Sequence, residues 1–362
     1  MTVLKQLRVR HRWSLGPQDN HDLLARTMRM LVEVHECGSL AKACELYGHA
    51  YRHAWGLLHA AEQLFGQPVI VMQRGRGTEL TELGLRLVRA EQRVTARLEP
   101  ILAEVTSELG RELDDLLHCQ EDRVSVDASH CFAMDSVVNT LVNHDIAASI
   151  RWLDNTQVID RLLKGQTDLA GFHLTGPGLN TLDTHWLERL AGGLWCDVRV
   201  LVQRELGLIV KTDNPLKLTT VRDVCQRHIR FVNTQPGSGS REVMNQLMAA
   251  QGLSDEALNE PFPAEHTHSA VAAFVASGMA DAGFGVRAAA SRFGLDFVHL
   301  ATETYFMAWP KAMAERPGLV HAIGLLHDPA FLAQLSAIPG YLTGHTGQTL
   351  EQWLASEHQA TP

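Results

Sequence analysis

The stretch from Gly38 to Gly84, GSLAKACELYGHAYRHAWGLLHAAEQLFGQPVIVMQRGRGTELTELG, constrains the fold more than any other part of this chain. Ser39 stands as an N-cap before the short helical pattern Leu40 to Leu46, and Gly48 breaks it. A second helix, Tyr51 to Phe65, sorts Ala54, Leu57, Leu58, Ala61, Leu64 and Phe65 onto one stripe and leaves Arg52, His53, Gly56 and His59 off it. A beta-like run Val69 to Met72, a basic tip Gln73-Arg74-Gly75-Arg76-Gly77-Thr78 and a second run into Leu80 follow. Short helix, tight turn, second helix and two-stranded wing is the order of a winged helix-turn-helix, which lays its second helix in the major groove of duplex DNA. The candidate DNA contacts are Ser39, Tyr51, Arg52, His53, Gly56, His59, Arg74 and Arg76, with Arg52 the leading base or phosphate contact. An amphipathic helix with a solvated face and a solubilising hairpin tip would show the same local patterns; the order of the pieces favours the DNA reader.

Charge is distributed in keeping with that reading. Residues 1–81 carry ten Lys/Arg against seven Asp/Glu, whereas the whole chain of 362 residues has a net charge of −9. A basic head on an acidic body is the asymmetry expected where only the head meets phosphate. Two or three domains are expected from the length. The six cysteines are scattered without a Cys-x-x-Cys pair, which suits buried thiols in a reducing cytoplasm. The first residues lack the apolar core of a secretory signal, and no run of about 18 apolar residues offers a membrane span.

Around the head, residues 1–22 read as an irregular basic arm, and Leu23 to Gly38 as a packing helix. From Thr81 to His118 one long helix is expected, with an apolar seam that includes Leu83, Leu87, Val94, Leu98, Ile101, Val105, Leu109 and Leu113. Pro100 predicts a bend or interruption in it. So long a seam suggests pairing with a second copy, the alternative being packing on the chain's own C-terminal half. Residues 118–123 read as a polar hinge.

After Arg123, short strands alternate with helices, an open α/β pattern. The expected strands are Val124–Ala128, Ala148–Leu153, Leu169–Phe172, Val198–Gln203, Leu208–Val210, Ile229–Val232, Ala282–Val286, Val298–Leu300 and Tyr305–Ala308. Two strand-to-helix junctions, Ala128-Ser129-His130 and Pro236-Gly237-Ser238-Gly239-Ser240-Arg241, offer helix N-termini and hydroxyls suited to a small anion. Taken alone, each is equally the start of an ordinary capped helix. The Gly-Ser-Gly-Ser run lacks the Gly-Lys-Ser/Thr of a nucleotide P-loop. His266-x-His268 with Glu265 has no supporting ligands at zinc spacing, so no metal is expected and His268 is read as a neutral donor or a packed histidine. No catalytic arrangement is readable.

Residues 38–84 resemble the winged helix-turn-helix of LysR-type regulators in Gly38-Ser39, Ala43, Leu64, Gly66, Pro68 and Leu80-Thr81-x-x-Gly84, and of ModE-type molybdate-responsive regulators in Tyr51-Arg52-x-Ala54-Trp55. The family usually has a Ser N-cap where this chain has Ala50. Residues about 124–343 resemble the periplasmic-binding-protein-like effector domain fused to such regulators. The matching pieces include Ala128-Ser129-His130, Asp168 to Leu174, Asn180, Phe231-Val232-Asn233, Pro236 to Arg241, Thr267-His268 and Ala280 to Gly283.

That resemblance implies two lobes, residues 124–212 with 306–362 and residues 213–305, holding ligand between them. It implies an effector site of Ser129, His130, Asn155, Ser238, Gly239, Ser240, Arg241 and His268. Asn155 stands where the family usually has Ser, Ser240 where it has Thr, and Cys131 where an Asp is common. These departures leave the anion open between a molybdate- or tungstate-like oxyanion and a small carboxylate such as formate.

The expected class is mixed: a helical winged head (1–81), a linker and dimerisation helix with hinge (82–122), and an α/β two-lobed effector domain (123–362). The expected function is that of a cytoplasmic, non-enzymatic transcription regulator without cofactor, tied to a molybdenum or tungsten enzyme operon such as formate dehydrogenase. Its partners would be double-stranded DNA, a small anionic effector, a second copy in a dimer or tetramer, and RNA polymerase. The competing readings are an anion solute-binding protein for transport and a metal-dependent enzyme.

Overall fold

The computed structural model describes residues 9–14, 21–73, 77–116, 123–175, 190, 195–227 and 229–360. Arg74, Arg76, Asn180 and the hinge residues 118–122 lie outside the described residues. Two compact units divide the chain, Arg10–Glu99 and a larger one built on Pro100–Pro362.

In the first unit, α1 (His21–Cys37), α2 (Leu40–Tyr47) and α3 (Tyr51–Phe65) precede the hairpin β1 (Ile70–Gln73) and β2 (Gly77–Leu80). Leu31, Leu40, Ala43, Ala54, Leu58, Ala61, Val69 and Val88 close over one core, so the apolar stripe of α3 is the packed face. The Ser39 hydroxyl accepts the Lys42 N–H at 3.2 Å, and α2 ends in Gly48 at φ 72°, a left-handed turn that glycine adopts without strain. Ala50 enters α3 with extended backbone and no side-chain cap, as its methyl group requires. The hairpin pairs Ile70 with Leu80 and Met72 with Thr78 in antiparallel register. Thr81 then explains its own spacing from Gly84. Its hydroxyl donates to the Pro68 carbonyl at 2.8 Å and accepts the Gly84 N–H at 3.1 Å, while a methyl group on Gly84 would fall 2.2 Å from the Val69 carbonyl oxygen.

Helix α4 (Glu82–Leu116) runs on through Pro100, and the interruption expected there is absent. A proline removes one backbone hydrogen bond, and the long helical arms on either side carry the helix past it.

The larger unit is a mixed eight-stranded sheet flanked by helices. Its elements are β3 (Val124–Ala128), α5 (Phe132–Asn143), β4 (Ala148–Trp152), α6 (Asn155–Leu163), β5 (Leu169–Thr175), β6 (Cys196–Val210), α7 (Val221–Gln226), β7 (Phe231–Val232), α8 (Gly239–Ala249), α9 (His268–Ala276), β8 (Ala282–Val286), α10 (Arg287–Arg292), β9 (Asp296–Pro310), α11 (Pro317–Gly324), α12 (Pro329–Ser336), β10 (Tyr341–Leu342) and α13 (Leu350–Ala360). The strand order is β4-β3-β5-β9-β6-β8-β7, with β10 also on β6. Parallel groups β4-β3-β5 and β8-β7 form the two ends. The antiparallel strands β6 and β9, 15 residues each, run through both.

These two long strands correct the reading of four short ones, Val198–Gln203, Leu208–Val210, Val298–Leu300 and Tyr305–Ala308. Polar residues interrupt the apolar runs, but two of them, Arg204 and Glu303, lie opposite each other in the ladder and are buried as a pair. Charge matched across a sheet does not end a strand. A register shift falls at Leu206/Gly207, where a methyl group on Gly207 would lie 1.9 Å from the Val298 carbonyl oxygen. Only glycine allows that approach. The expected mixed class, a helical winged head followed by an α/β domain, is the class observed.

Candidate functional site

Two places gather the residues singled out above, one in each unit. On α3, Tyr51, Arg52, His53, Trp55, Gly56 and His59 are all exposed, opposite the packed stripe. Ser39 serves as the cap of α2, His53 meets Arg26, and His59 meets Glu62 at 3.2 Å. Trp55 belongs to this face although polarity alone did not select it; its indole is 40% exposed, unusual for so large an apolar ring. The arrangement presents one cation, two histidines and two aromatic rings on a helix.

In the larger unit, the junction after β3 and the N-terminus of α8 are brought to one buried polar cluster. Ser129 leaves β3 with its carbonyl accepting the Tyr305 hydroxyl at 2.6 Å, and its own hydroxyl lies 3.1 Å from His173 Nδ1. Asn155 donates to the His173 carbonyl at 2.6 Å and accepts the His173 N–H at 3.3 Å, so its side chain holds β5 in place. Arg204 donates to Glu303 Oε1 at 2.5 Å and to the His130 carbonyl at 3.0 Å. The His130 ring packs on Trp152, with ring centroids 5.0 Å apart.

Packed against His173 is a hydroxyl chain. Ser238 caps α8, accepting the Arg241 N–H at 3.3 Å, and donates to Thr234, which lies 2.9 Å from the Ser240 hydroxyl. Gly239 opens α8 against His173: a methyl group there would fall 1.7 Å from His173 Nε2. Thr267 caps α9, whose first residue is the buried His268. Arg241 turns to Glu260, 2.6 Å away.

Burial controls the electrostatics of this cluster. It pulls His130 and His173 down to about 4, the positive charge of Arg204 adding to the effect in both, against Glu303 in the case of His173. His268 falls well below its ordinary value for the same first reason, reinforced by Arg204 and the other two histidines. All three imidazoles are therefore neutral near pH 7. Burial opposes the Arg204 charge, but Glu303 foremost raises its pKa above the ordinary value. Burial also raises the Cys131 thiol and lifts Tyr305 and Tyr341 well above the usual phenol range. Arg204 and Glu303 thus offset each other within the cluster, while the positive charge of Arg292 is also felt at His130. No group of three His, Cys, Asp or Glu with metal-holding geometry occurs among the described residues.

The residues His173, Arg204, Glu303, Tyr305 and Thr234 were not singled out in the sequence as site residues. All except Thr234 sit inside strands, where a lone polar residue reads as solvent-facing; only their pairing across neighbouring strands reveals burial. His173 carried the one available signal, a polar residue within the otherwise apolar run Leu169 to Leu174.

The model of the PBP superfamily domain matches residues 140–327. The chain belongs to this superfamily. A curated relative, the uncharacterized protein YvgK of Bacillus subtilis (strain 168), is 28% identical over 191 residues, which cover 52% of this chain and 61% of YvgK. The chain thus spans about three fifths of that relative's length. Among solved structures, CbnR, a LysR family transcriptional regulator, is similar at 15% identity and a TM-score of 0.37, covering 82% of this chain and 97% of that one. Full-length BenM is similar at 16% identity and a TM-score of 0.41, covering 86% and 96%. No described helix is long and apolar enough to cross a membrane.

Proposed function

We propose that this chain is a non-enzymatic transcription regulator of LysR/ModE type, whose winged head binds duplex DNA and whose PBP domain binds a small anion. The observation that carries the reading is the join itself. A helix with an exposed cationic and aromatic face precedes, in one chain, a PBP domain that gathers neutral histidines, hydroxyls and a helix N-terminus in one buried cluster. Ligand binding acts as a switch only if one arrangement of the domain binds the anion better than another, and DNA affinity then shifts by the same coupling. The LysR/ModE resemblance favours molybdate, tungstate or formate, and a molybdenum or tungsten enzyme operon as target; these remain part of the proposal.

Self-association belongs to the same reading. Ile101, Val105, Leu109 and Leu113 recur every fourth residue on α4 and are 51%, 36%, 38% and 37% exposed. An apolar stripe of this kind is a surface for a second copy of the helix, and paired heads would read a two-fold site.

The test is selection of duplexes from a random-sequence pool by the purified chain. Enrichment of one two-fold sequence is expected, with affinity that falls steeply with salt. Arg52→Ala should weaken binding roughly tenfold or more, a bidentate base contact being worth about 1–3 kcal/mol. No enriched sequence, together with retained anion binding, would sink the regulator reading and favour a solute-binding protein.

A further inference from the structure

Gly56 sits in the middle of α3 with no packing reason to be there. A methyl group built on it would meet nothing within 4 Å, whereas at Gly84, Gly207 and Gly239 one would fall within 2.2 Å of another group. Glycine in a helix interior weakens the helix relative to alanine. The head thus carries a loss that its own fold does not explain and that a close approach from outside would. Gly110 on α4 has the same open space, so the glycine alone decides nothing. Its neighbours do.

Arg52 lies four residues before Gly56 and His59 three after it. Trp55 stands three residues from Arg52 and four from His59, so helical spacing joins the four into one exposed patch. Tyr51 adjoins it, four residues before Trp55 and 44% exposed. The patch is the convex side of a single helix. A helix with its side chains is about 10–12 Å across, the width of the major groove of duplex DNA. The Arg52 cation complements the phosphates that border such a groove.

The indole then limits what is read. It has one N–H donor, no acceptor, and otherwise an apolar ring. Base edges in the major groove present donors, acceptors and one apolar group, the 5-methyl of thymine. A ring carried into the groove on this face therefore finds its apolar partner at thymine. A side chain at position 56 would hold the helix off the bases beside it.

We infer that Trp55 determines specificity by reading a thymine methyl in each half-site, and that Gly56 is where α3 comes nearest the bases. This rests on the reading of the head as a DNA binder and adds which base it selects and through which group.

The experiment starts from the duplex that the full chain enriches out of a random pool. Each thymine is replaced in turn by deoxyuridine, which removes the methyl group and keeps every hydrogen-bonding edge. At one thymine or more in each half-site, the replacement should weaken wild-type binding roughly threefold or more, the worth of one buried methyl group. Trp55→Ala should bind more weakly than wild type and no longer distinguish thymine from uracil at that position. Gly56→Ala should raise the unfolding temperature by a few degrees and yet lower DNA affinity roughly tenfold. Uracil tolerated at every thymine, or half-sites without thymine, overturns the inference and leaves the DNA reading standing. So does a Trp55→Ala protein that still prefers thymine, or a Gly56→Ala protein that binds as tightly as wild type. Should Trp55→Ala fail to fold, the wild-type uracil series decides. If no duplex is enriched, the DNA reading falls and the inference with it.

Discussion

Arg52 and Arg204 have the same side chain and opposite circumstances. Arg52 stands exposed on α3, where water keeps its charge cheap and a phosphate can be attracted from a distance. Arg204 is 2% exposed and shares a strand register with Glu303, so its charge is cancelled before any ligand arrives. An exposed site can hold net charge and works through long-range attraction that salt screens. A buried site cannot hold it unpaired, and must choose its ligand by which donors and acceptors are left over. On the proposed reading, one chain thus carries two recognition surfaces that rest on different physics.

The largest expected effect tests that contrast directly. Arg204→Ala strands Glu303 in the core and should cost about 3–5 kcal/mol in urea unfolding. Arg52→Ala should change stability by no more than about 0.5 kcal/mol. Similar losses for both would break the comparison.

Acid should act on the buried cluster next. His130 and His173 are held to about 4, below the ordinary histidine value, so the unfolded chain binds more protons than the folded one between roughly pH 6.5 and 4. The stability conferred by neutral histidines is present above that window and lost as pH falls through it. Unfolding midpoints followed by tryptophan fluorescence should drop across it, and His173→Asn should shrink the drop; a flat profile would contradict the buried-neutral assignment.

The smallest effect sharpens the other side. Ala50 has an extended backbone and no cap bond, so Ala50→Ser should stabilise the head by about 1 kcal/mol without altering anion affinity. A loss of stability would mean that another group already meets the first amides of α3.

Much of the head was legible because its signals are local. A cap at Ser39, a left-handed glycine at Gly48 and an apolar stripe on α3 each lie within a few residues of what they control. In the larger domain the junction into α8 at Ser238 was legible for the same reason. The long strands were not, because Arg204 and Glu303 are 99 residues apart and look like breaks until they are paired. The buried cluster followed suit: the junctions at Ser129 and Ser240 were legible from the grammar of helix starts, whereas Glu303, buried against Arg204 from another strand, was not. Asn155, read as a ligand contact, has both ends of its amide engaged by the backbone of His173.

Cys131 carries a last consequence. Its sulfur is buried beside the polar cluster, 3.6 Å from the Tyr341 hydroxyl, and burial holds the thiol protonated. Peroxides and disulfides react with thiolate, so this cysteine is slow chemistry in a place where a reactive one would be an oxidation sensor. On the proposed reading, Cys131 leaves the switch to occupancy, which reverses when the ligand leaves, and not to its own oxidation, whose mark would outlast the signal.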